Sequence, residues 1–245
     1  MQRQEATRTF AFLFTDIEGS TGLWERFPQL MKGSLERHDA ILRDAVEGAS
    51  GEVVKTTGDG LMAVFGSAGD GVRACLRAQL ALANEPWNEA GPLRVRMGLH
   101  AGEAARSGSD YHGPAVNRTA RIMAAGHGGQ VLLSGAAAAL VVDGLPEGAT
   151  LRDLGEHRLK DLGRPEHVFQ LVCPTLSASF PPLATIDDRA RDLPVEPSAF
   201  LGRERELEQI EELLRNGAVR LLTLDRKSTR LNSSHIQKSR MPSSA

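Results

Sequence analysis

Residues 51–65 (GEVVKTTGDGLMAVF) set two strand-forming runs on either side of Gly58-Asp59-Gly60, and such a turn commits the chain to a β-hairpin. The surrounding sequence alternates further strands with helical patterns. Residues 9–15 (TFAFLFT) read as a Phe-rich buried strand. Between 28 and 46, Leu35, His38, Leu42 and Ala45 recur at helical spacing. Val72, Cys75, Leu76, Gln79 and Leu80 mark a second amphipathic helix, with Gln79 the one polar residue of its stripe. Residues 93–101 read as a strand, Pro114 opens a further helix at its first turn, and strands follow at 130–133 and 168–172. Hairpin-paired strands mixed with helices predict an α+β fold, an antiparallel-rich sheet with helices packed on it.

Composition supports one sizeable core. The chain has 245 residues, 41% of them hydrophobic, as in ordinary globular proteins. A formal net charge of −2 gives no electrostatic reason to expect nucleic acid or an acidic membrane surface as a partner. No run approaches the roughly 20 apolar residues of a membrane-spanning helix. The first ten residues lack the apolar stretch of a signal peptide. Cys75 and Cys173 are the only cysteines and stand far apart, which fits two unpaired thiols in a reducing compartment. These features predict a cytoplasmic protein.

Residues 1–8 read as an N-terminal extension and 9–173 as the globular domain. Residues 174–199 contain five prolines and little periodicity, the mark of a linker. A short amphipathic helix (204–214) and a strand (219–224) follow within 200–225. Residues 226–245 combine many serines with five Lys or Arg and no acid, a composition that cannot bury a core and predicts disorder.

Three clusters carry chemistry. In Phe14-Thr15-Asp16-Ile17-Glu18-Gly19-Ser20-Thr21 a carboxylate ends a buried strand, and a Gly turn leads into a helix whose free N–H groups favour phosphate. In Lys55-Thr56-Thr57-Gly58-Asp59-Gly60 the hairpin tip exposes Asp59 between two glycines. Within 110–121, Asn117 and Arg121 are spaced i and i+4 and share a helix face, while Val116, Ala120 and Met123 supply the apolar one. Each cluster has a plainer reading alone: Asp16 as a helix cap, Asp59 as an ordinary Asp-Gly turn, Lys55 as a solvated lysine, Asn117 with Arg121 as a polar surface pair. Together, two carboxylates on adjacent strands make an oxygen-rich site suited to Mg²⁺ or Mn²⁺. Ions held there can activate a hydroxyl and neutralise phosphate charge. An amide with a guanidinium can orient a ribose and hold a phosphoryl oxygen.

The order, spacing and completeness of these clusters resemble the class III adenylyl and guanylyl cyclase family over about 9–172. The resemblance implies a ferredoxin-like, palm-like domain and a set of roles. Asp16 and Asp59, assisted by the Ile17 carbonyl, would bind two divalent metal ions, Mg²⁺ or Mn²⁺. Lys55 and Asp110 fall where the family reads the base, at positions where guanylyl members typically carry Glu and Cys or Ser. Asn117 would orient the ribose and Arg121 would stabilise the transition state. All these positions hold the adenylyl-type residue, so the implied function is conversion of ATP to 3′,5′-cyclic AMP and pyrophosphate in intracellular signalling. Family members pair head to tail, each site taking metal residues from one chain and base-reading residues from the other. A chain that carries both sets implies a homodimer with two equivalent sites.

Guanylate cyclase activity and a catalytically silent nucleotide-sensing module of the same fold are the alternatives. A cyclic dinucleotide synthase is disfavoured, because 57–61 do not match its hairpin motif. The segment 103–109 is short for the family's variable loop, and Arg106 in it reads as an exposed loop arginine. His100 and His112 read as structural, Trp24 and Trp87 as packing residues. Residues 154–162 (LGEHRLKDL) resemble the end of bacterial cyclase domains and lead into the last strand. Residues 200–207 (FLGREREL) resemble the opening of an ATPase module that follows such domains, although no G-x-x-x-x-G-K-[ST] loop occurs. Residues 226–245 resemble a translated sequencing adapter joined to a truncated gene.

Overall fold

The computed structural model of the chain describes residues 8–185, together with 208–209, 211–212, 215, 222–225 and 235–238. Contacts divide the chain into a unit of 1–193 and a unit of 194–245. The first unit runs β1 (Arg8–Ile17), α1 (Ser20–Arg26), α2 (Pro28–Glu47), β2 (Glu52–Thr57), β3 (Gly60–Phe65), α3 (Ala68–Asn84), β4 (Val95–Ser107), β5 (Asp110–His112), α4 (Pro114–Ala125), β6 (Val131–Ser134), α5 (Gly135–Val141), β7 (Thr150–His157) and β8 (Glu166–Val172). The strands form one sheet in the order β2-β3-β1-β4-β6-β8-β7, with β5 paired to the end of β4. Every pairing is antiparallel except that of β4 with β6. The result is the antiparallel-rich α+β fold that the hairpin predicts.

Strand alternation sorts side chains between two sheet faces. Ala11 and Leu13 of β1, Leu61 and Ala63 of β3, and Met97 and Leu99 of β4 turn to one face. There they join Ile41 and Leu42 of α2 and Val72 and Cys75 of α3 in the main core. Gln79, the polar residue on the α3 stripe, is buried and donates its Nε2 to the Val95 carbonyl at 2.7 Å. A buried amide that keeps its hydrogen bond avoids the desolvation penalty. Cys75 is fully buried in this core, and burial pushes its thiol up to about 12. Trp87 packs on the same core, whereas Trp24 is 37% exposed and packs less than the sequence suggests.

On the opposite face, Phe12, Met62 and Val64 meet Tyr111 of β5 and Ala115 of α4. α4 lies directly on β4, and Gly98 makes that approach feasible. A Cβ on Gly98 would sit 2.5 Å from the Met123 nitrogen and 2.7 Å from its Cα.

Three parts of the unit depart from the sequence reading. The segment 103–109 is mostly strand: β4 continues to Ser107, turns at Gly108 (φ 63°) and returns as β5. α5 is only seven residues, too short to show a helical period, and Ser134 caps it by accepting from the Ala137 N–H at 3.1 Å. β7 is an edge strand with an alternation too weak to read. Residues 174–185, the first part of the Pro-rich stretch, lie against the domain: Leu183 is buried, and the Ala184 N–H donates to the Ala125 carbonyl at 2.9 Å.

In the second unit, 208–209, 211–212 and 215 are helical. β9 (Leu222–Asp225) pairs antiparallel with β10 (His235–Lys238). β10 falls inside 226–245, expected to be disordered, and there forms four backbone pairs with β9. The ATPase-like opening at 200–207 lies outside the described residues. Among the described residues, no helix is long and apolar enough to cross a membrane.

Candidate active site

Asp16 and Asp59 come to the same end of two neighbouring strands. The β1–β3 register ends with Thr15 opposite Leu61, so Asp16 stands beside the hairpin tip. Gly58 turns that tip in the left-handed region at φ 72°. Gly60 lets it press against β1, since a Cβ there would lie 2.3 Å from the Thr15 carbonyl oxygen. The Leu61 N–H donates to Thr15 Oγ1 at 3.1 Å and locks the corner. Asp16 is half-buried and accepts from Nε (2.8 Å) and Nη2 (2.5 Å) of Arg96, its cross-strand neighbour. Both contacts use Oδ2, and among the described residues Oδ1 has no partner.

Among the described residues, no group of three or more His, Cys, Asp or Glu could hold a metal ion by itself. Asp16, Asp59 and the Ile17 carbonyl would together make a hard oxygen set short of a full coordination shell. Such a set fits Mg²⁺ or Mn²⁺, which keep waters and take substrate phosphate as ligands.

Lys55 and Asp110 are 55 residues apart in sequence, and the fold joins them: Nζ donates to Oδ1 at 2.8 Å and to Oδ2 at 2.6 Å. Two devices bring this about. A register shift between Val53 and Lys55 places Lys55 opposite Met62, where an unbroken register would set it opposite Leu61. The bulge turns Lys55 to the same face as Phe12, Phe14 and Met62. The β4–β5 arm then crosses that face to reach β2. It is pinned by Tyr111, whose ring sits edge-on to Phe10 and Phe12 with centroids 5.1 and 5.5 Å away. Arg106, on β4 and not in a loop, lies over the Tyr111 ring at 5.5 Å and pairs with Glu52 at 3.3 Å. The Lys55 ammonium and the Tyr111 N–H hold the Asp110 carboxyl below its ordinary range.

α4 carries the remaining predicted residues. Asn117 is exposed on its surface. Arg121 is about two-fifths exposed and donates Nη2 to Asp161 Oδ2 at 2.6 Å. One turn earlier, Arg118 Nε lies 3.1 Å from Glu166 Oε2, without the alignment of a hydrogen bond. Burial raises the Glu166 carboxyl, and the attraction of Arg118 only partly offsets it.

His100 is buried on the same face and exchanges a hydrogen bond with Ser134 Oγ at 2.7 Å. Burial first, then the charge of Arg118, pushes its pKa down to about 4. An open cleft of about 600 Å³ runs behind α4 and is lined by His100, Glu103, His112 and Arg118 among others. Neither Asp16, Asp59, Lys55, Asn117 nor Arg121 lines it.

Two charged partners escape a reading of the sequence alone. Arg96 reads as an alternating polar residue of a strand, and only the register sets it against Asp16. Asp161 sits in a loop 40 residues after Arg121, with no local signal of their contact.

One face of the α+β sheet thus gathers Asp16, the Lys55–Asp110 pair and the arginine-bearing helix α4. The sequence matches the family described as "Adenylate and Guanylate cyclase catalytic domain" over residues 2–172, and the chain belongs to that family. An uncharacterised protein of Mycobacterium tuberculosis is 37% identical over 210 residues, which is 84% of this chain and 71% of that protein. The adenylate cyclase of Podospora anserina is 29% identical over 226 residues, 70% of this chain but only 10% of that protein. Among solved structures, an adenylate cyclase of Trypanosoma brucei in its monomeric state superposes with a TM-score of 0.64 at 26% identity, covering 71% of this chain and 92% of that one.

Proposed function

We propose that the chain is an adenylate cyclase, converting ATP to 3′,5′-cyclic AMP and pyrophosphate at sites formed between two copies of itself. The observation that carries this reading is the Lys55–Asp110 pair, assembled on the sheet face that also bears Asp16. The adenine edge offers an amino donor next to a ring-nitrogen acceptor, and a carboxylate beside an ammonium complements both. Guanine presents a carbonyl acceptor where adenine has the amino donor, and a ring N–H donor where adenine has the ring-nitrogen acceptor.

In the proposed reaction, the ribose 3′-hydroxyl attacks the α-phosphorus. The new P–O bond closes the ring, the bond to pyrophosphate breaks, and the hydroxyl proton leaves with the products. Asp16, Asp59 and the Ile17 carbonyl would hold Mg²⁺ or Mn²⁺. When bound, these ions supply activation of the hydroxyl and neutralisation of phosphate charge. Asn117 orients the ribose, and Arg121 donates to the phosphoryl oxygens as charge gathers on them.

Asp16, Lys55 and Asp110 each engage another protein group. Binding therefore exchanges these contacts for nucleotide and ion. The same reading places the protein in the cytoplasm, in intracellular signal transduction, and takes 200–225 as the opening of an ATPase module.

The test uses the purified chain at several concentrations with Mn²⁺ and either ATP or GTP, quantifying both cyclic nucleotides. Cyclic AMP with activity rising faster than protein concentration is the expected result. Cyclic GMP as the main product defeats the role given to Lys55 and Asp110, and no product from folded protein favours a silent sensing module.

A further inference from the structure

We infer that Asp161 is a positioning residue for Arg121, holding its guanidinium ready at the face of α4 for the phosphoryl group; this rests on the cyclase reading. The loop between β7 and β8 is anchored on both sides of Asp161. Leu159 is 2% exposed and packs with Ile122 of α4, while Leu162 packs against the same cluster. The Leu162 N–H donates to the Leu159 carbonyl at 3.3 Å, closing a turn around Lys160 and Asp161. Asp161 occupies the third position of that turn at φ 60°, a left-handed conformation glycine would adopt more easily. Its backbone is thus fixed by the turn and by a buried leucine seated on the helix that carries Arg121, while its side chain, 59% exposed, reaches the guanidinium.

The contact itself suits positioning better than sequestration. Among the described residues Asp161 accepts one N–H, from Arg121 Nη2 at 2.6 Å. Nε and Nη1 of Arg121 have no hydrogen-bond partner among the described residues, so one edge of the fork stays free for a phosphoryl oxygen. The Arg118–Glu166 pair ties the preceding turn of α4 to the start of β8. The β7–β8 hairpin therefore grips the helix at two arginines, one beside the reaction and one behind it. A long side chain left free would have to be ordered during the reaction, and a carboxylate that restrains it beforehand removes part of that cost.

The experiment compares the full chain with Asp161→Ala, Asp161→Asn and Arg121→Ala. It measures kcat and KM for ATP with Mn²⁺, together with the ¹⁵N signal of the Arg121 side chain. Positional errors of about 1 Å can cost about 100-fold in rate, and a restrained but mobile side chain should cost about 10-fold. Asp161→Ala should accordingly lower kcat about 10-fold with KM within about 2-fold. Asp161→Asn, which keeps an acceptor, should fall between it and the unaltered chain. The Arg121 signal should show greater mobility in Asp161→Ala, and adding that change to Arg121→Ala should cost nothing further.

An active chain in which Asp161→Ala keeps or raises kcat overturns the inference and leaves the cyclase reading intact. So does a loss that persists in the Arg121→Ala background, since that is a folding effect. If the unaltered chain makes no cyclic nucleotide, the cyclase reading and the role in catalysis fall together. The ¹⁵N measurement then still judges the pairing, and unchanged Arg121 mobility without Asp161 refutes it.

Discussion

The two faces of the sheet are built from the same strands and do different work. The face under α2 and α3 is a continuous apolar core in which Leu13, Leu42, Phe65, Val72 and Leu99 are almost completely buried. The other face divides its apolar contacts into two smaller clusters, one under the β4–β5 arm and one under the β7–β8 hairpin. Between and around these clusters stand ion pairs: Asp16 with Arg96, Lys55 with Asp110, Arg121 with Asp161, Arg118 with Glu166. Exposed or half-exposed pairs of this kind add little stability. Their geometry instead keeps charged side chains oriented on that face. One face holds the strands in place, and the other presents what they carry.

That contrast is open to breaking, beginning at the largest effect. Asp59→Ala should abolish metal-dependent cyclase activity while the melting temperature stays near that of the parent, because Asp59 lies in the two-residue turn between β2 and β3. Full residual activity would remove Asp59 from the metal set. Arg121→Ala should lower kcat by about 1,000-fold, the scale of arginines that stabilise transferring phosphoryl groups, again with an unchanged thermal transition.

A matched pair sharpens the comparison further. Tyr111 (2% exposed) and Leu42 (1% exposed) are buried on opposite faces, and truncating either to alanine should cost about 2–5 kcal/mol in urea unfolding. Below the transition, Leu42→Ala should keep the parent's kcat and its preference for ATP. Tyr111→Ala should lose that preference, because the arm that delivers Asp110 to Lys55 comes free. Equal kinetics in the two variants would contradict the division of labour.

Acid stability offers a smaller effect. Burial holds His100 and His38 neutral, lowering both pKa values from 6.5, that of His100 to about 4. The unfolded chain takes up these protons near pH 6.5 and the native state does not. Stability is therefore full above that pH and falls as pH drops toward 4. His100→Gln should flatten this slope, read as the shift in urea midpoint between pH 7 and pH 5; an unchanged slope would show that His100 is not responsible. The smallest change belongs to Arg106→Ala. It removes a pair whose members are both about half exposed and should cost less than about 1 kcal/mol by thermal unfolding.

Much of the fold was legible locally. The Asp-Gly tip between apolar runs predicts β2 and β3, and the 3.6-residue period predicts α2 and α3. Pro114 marks the start of α4, where the structure begins it. The Gln79 anomaly is resolved by one hydrogen bond to Val95. The β4–β5 arm was not legible, because its strand character depends on Tyr111 finding Phe10 and Phe12 across the sheet. α5 and β7 were too short or too exposed to leave a period.

The candidate site divides in the same way. The residue types at 16, 55, 59, 110, 117 and 121, and the turns that present them, are encoded within a few neighbouring positions. Sequence alone therefore determines the elements, the glycine-bounded tip and the i, i+4 pair on α4. Tertiary structure alone decides that Lys55 faces Asp110, that Arg96 clasps Asp16, and that Asp161 reaches Arg121. Those partners lie 55, 80 and 40 residues apart, and each contact depends on strand order and register. Since side chains alternate with a period of two, the single bulge in β2 is enough to move Lys55 from the core face to the face that holds its partner.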